Sequence, residues 1–208
     1  MKNKDFNKGI ILTALGSLWW GVIGVIYFKY ISFAGPIEVV IHRCVWTSAV
    51  LLITTFYFSK WNIFFEIIAN KKKLIWLFFS GLLIFINWST WIYAVGTEKI
   101  IDASFGYFIM PILSVFLGFI FYNEKINKKR LLSIILVLIS ILYLLVVNFN
   151  FIPWVGIIVA LSWGFYNLLR KKINVDTDVG LLIESLFILP FALFSFFLIF
   201  QNNLNDFT

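Results

Sequence analysis

Charged side chains inside long apolar segments are the residues of this sequence best suited to chemistry. His42 and Arg43 interrupt the apolar run of residues 38–58, and Glu184 interrupts residues 180–200. A charge within a membrane helix is costly, so it usually faces protein or water and marks a binding site or a proton pathway. Because arginine offers a permanently charged planar fork, we expect Arg43 to orient an anionic or strongly polar group. The alternative is that its side chain snorkels to the membrane surface.

Aromatic and amide side chains in the other apolar runs complete a candidate cavity. Asn87 stands out because its amide requires hydrogen-bond partners in hydrocarbon. The aromatic rings would hold the apolar part of a substrate, although tryptophan near a helix end is also a common interfacial anchor. Trp20 is a further candidate ring. The predicted substrate-binding residues are His42, Arg43, Trp46, Asn87, Trp88, Trp91, Tyr107, Trp163, Tyr166 and Glu184.

Two prolines lie inside apolar runs. Pro111 leaves the carbonyl of Tyr107 without its helical partner, and Pro190 does the same to Leu186. We expect a helix kink at each proline, which either forms a broken-helix site or shapes the packing.

Membrane helices are needed to position these side chains. Of the 208 residues, 62% are hydrophobic and only 13% are charged, which excludes an ordinary soluble domain. Each apolar run is near or above the ~17 residues that a membrane helix needs, and none shows the sustained alternation of a β-barrel strand. The sequence therefore predicts an all-α polytopic membrane protein with seven transmembrane helices, at residues 9–28, 38–58, 74–95, 101–121, 131–147, 153–169 and 180–200.

Basic residues indicate the orientation of these helices. Of the 17 lysines and arginines, 14 lie in four segments of the sequence. These segments are the one before the first run, the one between the second and third runs, the one between the fourth and fifth runs, and the one after the sixth run. Short basic loops stay in the cytoplasm, so we expect a cytoplasmic N-terminus. The same scatter over four short loops argues against a nucleic-acid partner.

The residues contain no pattern typical of an enzyme or a cofactor site. One histidine and one cysteine are present, so an internal disulfide and a cysteine metal site are both excluded. No phosphate-binding loop or Ser/His/Asp set is found. We expect no catalytic activity, no cofactor and no metal.

Two pairs of segments indicate an internal repeat. Trp20-Gly21 recurs as Trp163-Gly164 after 143 residues, and His42 matches Glu184 after 142 residues. Five spans separate the copies, so they have opposite orientations in the membrane, as in inverted-repeat transporters. Chance similarity between apolar segments is the alternative.

Several segments together resemble the RarD branch of the EamA family, within the drug/metabolite transporter superfamily: "EVVIHRCVW", "NWSTWIYAV", "DASFGYFIMPILSVFLGFIFYNEK", "GFYNLLRKKI" and "GLLIESLFILP". The resemblance implies a ten-helix permease of the bacterial inner membrane, built from two inverted five-helix repeats and linked to chloramphenicol sensitivity. Residues 1–147 would then form the first repeat, and residues 148–208 the first two helices of the second. Met110 stands where the family usually has asparagine.

Three functional classes follow from these observations. A secondary transporter explains the inverted repeats and the charges inside the helices, whereas an accessory or structural membrane protein, or an inactive fragment of a longer permease, better explains an end after the seventh run. A membrane enzyme has no support. We predict a permease or exporter of drugs or amphiphilic metabolites such as amino acids, with alternating access between repeats. Proton coupling through Glu184 or His42 is an open alternative. The expected partners are the lipid bilayer, the substrate, and a second copy or another chain that supplies the remaining helices.

Overall fold

Helices account for the secondary structure of the computed structural model, which describes residues 2–148 and 153–201. No strand occurs in these two ranges, which confirms the all-α fold class. The first apolar run contains α1 (Lys2–Leu18), a π-helical segment (Trp19–Gly24), α2 (Val25–Tyr30) and a 3-10 turn (Ile31–Phe33). The remaining helices are α3 (Pro36–Tyr57), α4 (Trp61–Ala69), α5 (Lys71–Gly96), α6 (Ile100–Tyr122), α7 (Lys128–Asn148), α8 (Trp154–Ile173) and α9 (Thr177–Gln201).

Six helical segments of the described chain are long and apolar enough to cross a membrane. They are Phe6–Phe33, Pro36–Tyr57, Lys71–Gly96, Ile100–Tyr122, Lys128–Val147 and Thr177–Gln201. These segments match six of the seven predicted spans and confirm a polytopic membrane protein.

Helix α8, from Trp154, covers the predicted span at residues 153–169 except for Pro153, but it is not among those six. Its last turn holds Arg170, Lys171 and Lys172, so its apolar part is shorter than that of the others. Helix α8 packs against both α5 and α6, and its polar side chains can therefore face protein instead of lipid. The seventh span remains a prediction.

Close contact between α6 and α8 depends on two glycines. A Cβ atom at Gly106 would overlap the carbonyl oxygen of Gly156, and one at Gly156 would overlap the carbonyl oxygen of Asp102. The Asp102 side chain also accepts a hydrogen bond from the Gly156 N–H at 3.0 Å. Small residues at a membrane helix interface let two backbones approach closely. This contact fixes α8 in the bundle, where it also touches α5.

Ion pairs bring the basic loops together at one end of the bundle. Lys60, after α3, lies 3.1 Å from Asp176 and 2.8 Å from Asp178, which lie at the α8–α9 connection. Glu124, after α6, contacts Lys171 in the last turn of α8. The α3–α4, α6–α7 and α8–α9 connections therefore share one end, here named the basic end. This arrangement agrees with the predicted alternation of the helices.

Helix α4 was not predicted from the sequence, which indicated only a connection between two spans. Its nine residues are too few for a membrane crossing. Phe64 and Ile67 are buried and pack with Leu77 and Leu182 of α5 and α9. The helix is thereby fixed to the bundle at the basic end.

Candidate functional site

Arg43 lies among aromatic rings on the half of the bundle away from the basic end. Its guanidinium is 4.4 Å from the ring centroid of Trp88, 5.4 Å from that of Trp20 and 5.5 Å from that of Phe28. A guanidinium over an aromatic face is attracted by the negative charge density of the ring. These contacts direct Arg43 into the protein, which favours the binding interpretation over snorkelling.

The aromatic side chains around Arg43 also contact one another. Trp20 and Trp91 have ring centroids 6.3 Å apart, and Trp91 meets Tyr107 edge to face at 5.5 Å. Edge-to-face pairs at such distances are favourable beyond their buried area. We name Trp20, Phe28, Arg43, Trp88, Trp91 and Tyr107 the arginine–aromatic cluster. It joins the first helical segment to α3, α5 and α6.

Two hydrogen-bond donors in this cluster are unsatisfied. The Nη1 atom of Arg43 and the Nε1 atom of Trp91 are buried, and neither has a hydrogen-bond partner among the described residues. Leaving a buried donor unpaired costs about 1–3 kcal/mol, and more when the group is charged. A bound molecule with acceptor oxygens would remove this cost. The arrangement can therefore bind an anion that also carries an apolar or aromatic part.

Glu184 belongs to a second polar group nearer the basic end. Its carboxylate is fully buried and accepts hydrogen bonds from the hydroxyls of Ser80 at 2.5 Å and Tyr166 at 3.2 Å. The Nη1 atom of Arg170 lies 3.5 Å from Oε1 of Glu184. We name Ser80, Tyr166, Arg170 and Glu184 the glutamate cluster. It ties α5, α8 and α9 together.

Ser80 and Arg170 are the members of this cluster that the sequence does not predict; from the sequence alone, Arg170 is counted among the loop charges. Its Nη2 donates to the carbonyl oxygen of Thr177 at 3.1 Å. A Cβ atom at Gly180 would overlap its guanidinium, so glycine makes room for the arginine. The signal was the spacing from Trp163 to Tyr166 to Arg170, which puts all three residues on one face of a helix.

The two clusters are separate, and the structure pairs Glu184 with Arg170 and not with Arg43. Arg43 lies in the half of α3 that begins at Pro36, whereas Glu184 lies near the start of α9 at the basic end. The sequence had already placed the two residues at opposite depths, which spoke against a direct bridge.

His42, Trp46 and Trp163 are predicted site residues that the structure does not place in the arginine–aromatic cluster. The ring of His42 meets Phe196 edge to face at 5.4 Å, and its Nε2 lies 3.9 Å from Glu38. Trp163 packs against Tyr166 at 5.4 Å. Trp46 is 65% exposed on the outer face of α3, so the structure does not bring it to the arginine–aromatic cluster.

Asn87 has a clear partner set between two helices. Its Nδ2 donates to the carbonyl oxygen of Val159 at 3.2 Å and to the hydroxyl of Ser162 at 3.1 Å. The protein thus supplies the hydrogen-bond acceptors that the amide would lack in the hydrocarbon of the bilayer. This geometry links α5 to α8 and assigns the donors of Asn87 to packing between helices.

The two prolines lie apart from both clusters. Helix α6 continues through Pro111, and α9 continues through Pro190. Both prolines are exposed. No contact with either cluster is recorded for them among the described residues, and the predicted kinks remain predictions.

A cavity of about 600 Å³ lies between α3, α5 and α9. Its lining is almost entirely apolar and includes Val40, Cys44, Phe85, Ser89 and Phe191. None of the predicted site residues lines this cavity. It is therefore distinct from both polar clusters.

Comparison with known proteins agrees with this membrane architecture. A model of the EamA-like transporter family matches residues 7–146. The chain is 37% identical over 91% of its length to an uncharacterized transporter of Vibrio cholerae and 31% identical over 93% to the uncharacterized transporter YojE of Bacillus subtilis. It is 33% identical over 98% to the protein RarD of Escherichia coli.

The aligned region spans 62%, 65% and 68% of these three relatives, respectively. No solved structure matches the chain. The matched region contains all of the arginine–aromatic cluster. The chain belongs to the EamA-like transporter family, as a RarD-like member.

Proposed function

We propose that this family member is a permease of the bacterial inner membrane that binds an anionic amphiphile at the arginine–aromatic cluster. Aromatic amino acids and similar metabolites are the leading substrate class. The observation that carries the proposal is the pair of buried, unpaired donors, Arg43 Nη1 and Trp91 Nε1, next to aromatic faces. A carboxylate satisfies both the charge and the donors, and a ring or alkyl part fits the surrounding aromatic side chains.

In this proposal each part of the cluster has a distinct role. Arg43 donates from its charged fork to the substrate carboxylate, and Trp88 holds the guanidinium at 4.4 Å so that it need not reorient on binding. Trp91 donates one hydrogen bond from its indole nitrogen. Tyr107, edge to face with Trp91, closes the aromatic wall. No catalytic step or cofactor is required.

Inverted repeats and alternating access form the second part of the proposal. Trp20 contacts Arg43, which follows His42 on α3, whereas Trp163 contacts Tyr166, which binds Glu184 on α9. Residues that match at an offset of about 142 thus lie in, or directly beside, two polar clusters toward opposite ends of the bundle. Such an arrangement supports repeats at 1–147 and 148–208 that rock around a central site. The N-terminus and the basic end would lie in the cytoplasm.

Association with a second copy or another chain is the remaining part of this proposal. The span at Phe6–Phe33 has no buried residues in its most apolar window, and the span at Lys128–Val147 has 6%. These helices offer their faces to lipid or to further helices.

The proposed function is tested by comparing three variants at equal membrane abundance. In a full-length, ten-helix version, we expect Arg43→Ala to abolish transport of aromatic amino acids while membrane insertion stays intact, and Arg43→Lys to restore transport poorly, because an ammonium lacks the planar fork. Arg130→Ala is the matched control, since Arg130 is 47% exposed at the basic end. Wild-type transport by both Arg43 variants at equal membrane abundance would contradict the proposal.

A further inference from the structure

We propose that α4 lies in the bilayer interface at the basic end and that its exposed apolar stripe, together with Lys71 and Lys72, binds anionic phospholipids. The proposal concerns a surface that neither polar cluster uses. It rests on membrane embedding and not on the identity of any transported substrate.

The inner face of α4 fixes how the helix is turned. Phe64 and Ile67 are 8% and 2% exposed and belong to a buried cluster with Val179. Residues three apart on a helix share one face. The opposite positions must therefore point away from the bundle.

An apolar stripe occupies part of the outward surface of α4. Phe65 is 62% exposed and Ile68 is 39% exposed. The half-buried Trp61 borders the stripe, since its ring lies 6.1 Å from that of Phe65 and 5.3 Å from that of the buried Phe64. The spacing of residues 61, 65 and 68 places them along one side of the helix. Glu66, one residue from Phe65, has a side chain that is 75% exposed on a different side. The helix thus has an inner face, an outer apolar stripe and a polar side.

The length of α4 decides how such a stripe meets a membrane. Nine residues extend about 14 Å at 1.5 Å per residue, roughly half of the hydrocarbon thickness. A short helix with an exposed apolar stripe lies in the plane of the interface, with that stripe among the acyl chains. The start of the membrane-spanning α5 at Lys71, two residues after α4 ends at Ala69, keeps α4 at this depth.

The lysines beside α4 that form no ion pair among the described residues determine which lipid headgroup this surface prefers. Lys60 is engaged by Asp176 and Asp178, and Lys73 lies 3.9 Å from Glu66. Lys71 and Lys72 are exposed and form no ion pair in the part of the chain that the structure describes. Charge complementarity therefore favours an anionic lipid over a zwitterionic one, by about fivefold in affinity per lysine.

The depth of α4 is tested with a label at two neighbouring positions. Cys44 is the only cysteine and is fully buried, so Phe65→Cys and Glu66→Cys each provide one reactive thiol for a nitroxide spin label. In vesicles of phosphatidylcholine and phosphatidylglycerol, we expect the label at 65 to be relaxed by lipid-soluble oxygen and the label at 66 by a water-soluble nickel complex. Water exposure of both labels would overturn the proposal. Spin–spin broadening at position 65 would instead indicate a second copy on this face and would also overturn it.

Lipid specificity is tested with two matched lysine pairs. Lys71→Ser with Lys72→Ser is compared with Lys128→Ser with Lys129→Ser, because both pairs are exposed and begin a helix at the basic end. We expect the apparent affinity of the purified chain for phosphatidylglycerol to fall about 30-fold in the first pair, with a much smaller change in the second. Equal losses in both pairs, or full displacement of the lipid by glycerol phosphate, would contradict a site built from α4 and its two lysines.

Discussion

Replacing Glu184 by alanine removes the carboxylate that joins three helices. The change leaves the Tyr166 hydroxyl without its acceptor and Arg170 without its counter-charge. Ser80 loses less, because its hydroxyl also lies 3.1 Å from the carbonyl oxygen of Leu77. We expect Glu184→Ala to destabilise the protein strongly, and Arg170→Ala to do the same from the other side of the pair.

The magnitude follows from how deeply each partner is buried. Breaking a buried ion pair by removing one member typically costs about 3–5 kcal/mol. The side chain of Arg170 is 12% exposed and keeps the Thr177 carbonyl as a partner, so we expect about 3 kcal/mol for Glu184→Ala. The lost bond from Tyr166 accounts for about 0.6–1.7 kcal/mol of this. Removing both charges should cost clearly less than the sum of the single changes, with a coupling energy of about 1–3 kcal/mol.

Steric trapping in lipid bicelles measures the free energies of unfolding of the wild-type chain, the two single variants and the double variant. The double change Glu124→Ala with Lys171→Ala is the control, because that pair is exposed at the same end and exposed pairs contribute little. Strict additivity of Glu184→Ala and Arg170→Ala would refute the reasoning, since it would mean that the pair contributes no interaction of its own.

Three further predictions concern packing, pH and topology. Gly106→Ala should lower the free energy of unfolding by about 1–3 kcal/mol, because its Cβ atom would overlap the carbonyl oxygen of Gly156. Gly21→Ala is the control, because a Cβ atom there would have nothing within 4 Å. Equal unfolding temperatures for the two variants would contradict the α6–α8 contact. Desolvation raises the pKa of Asp176, but hydrogen bonds from the Val179 N–H and Lys60 outweigh it, so the net pKa lies below 3.8. The carboxylate therefore stabilises the fold above pH 3.8, and this contribution is lost as the pH falls through the folded pKa. Asp176→Asn should make the free energy of unfolding fall less steeply with pH in the acid range. An unchanged slope would argue against the ion pair with Lys60. Impermeant labels on cysteines introduced at Lys72 and Lys129 should react only from the cytoplasm and those at Lys99 only from outside; reaction of Lys99 and Lys129 from the same side would exclude the alternating arrangement.

The spans could be predicted because length and apolar composition determine them almost alone. The run at residues 38–58 corresponds to Pro36–Tyr57, and the run at 101–121 to Ile100–Tyr122. Helix α4 was missed because nine residues with an amphipathic pattern give a weak signal beside a 26-residue neighbour. The run at 153–169 corresponds to α8, Trp154–Ile173, which is not among the six helices apolar enough to span a membrane. A helix enclosed by other helices need not be uniformly apolar.

The site could be predicted only in part, since residue type shows which side chains need partners but not which partners they meet. Arg43 and Trp88 were both predicted, and the structure brings them together. Phe28 was missed because a phenylalanine in an apolar run carries no distinguishing signal. The sequence predicts Trp46 near Arg43 because the two residues are three positions apart. Three residues rotate a side chain by about 300° around the helix axis, which is less than a full turn, so Trp46 and Arg43 lie on neighbouring faces of α3. Only the packing of the other helices determines which of these faces is buried. The partners of Asn87 and Arg170 could not be predicted from the sequence either, because they lie on other helices.

The most direct test of the central claim asks whether Arg43 recognises a negative charge. Binding of an aromatic amino acid and of its neutral carboxamide is measured for the wild-type chain and for Arg43→Gln, at equal amounts of folded protein in lipid. A charge-assisted hydrogen bond differs from a neutral one by enough that we expect the wild-type chain to prefer the carboxylate by roughly 10- to 100-fold. Arg43→Gln should bind the two compounds almost equally. An undiminished preference for the carboxylate in Arg43→Gln would contradict the account, because the anion would then be recognised elsewhere.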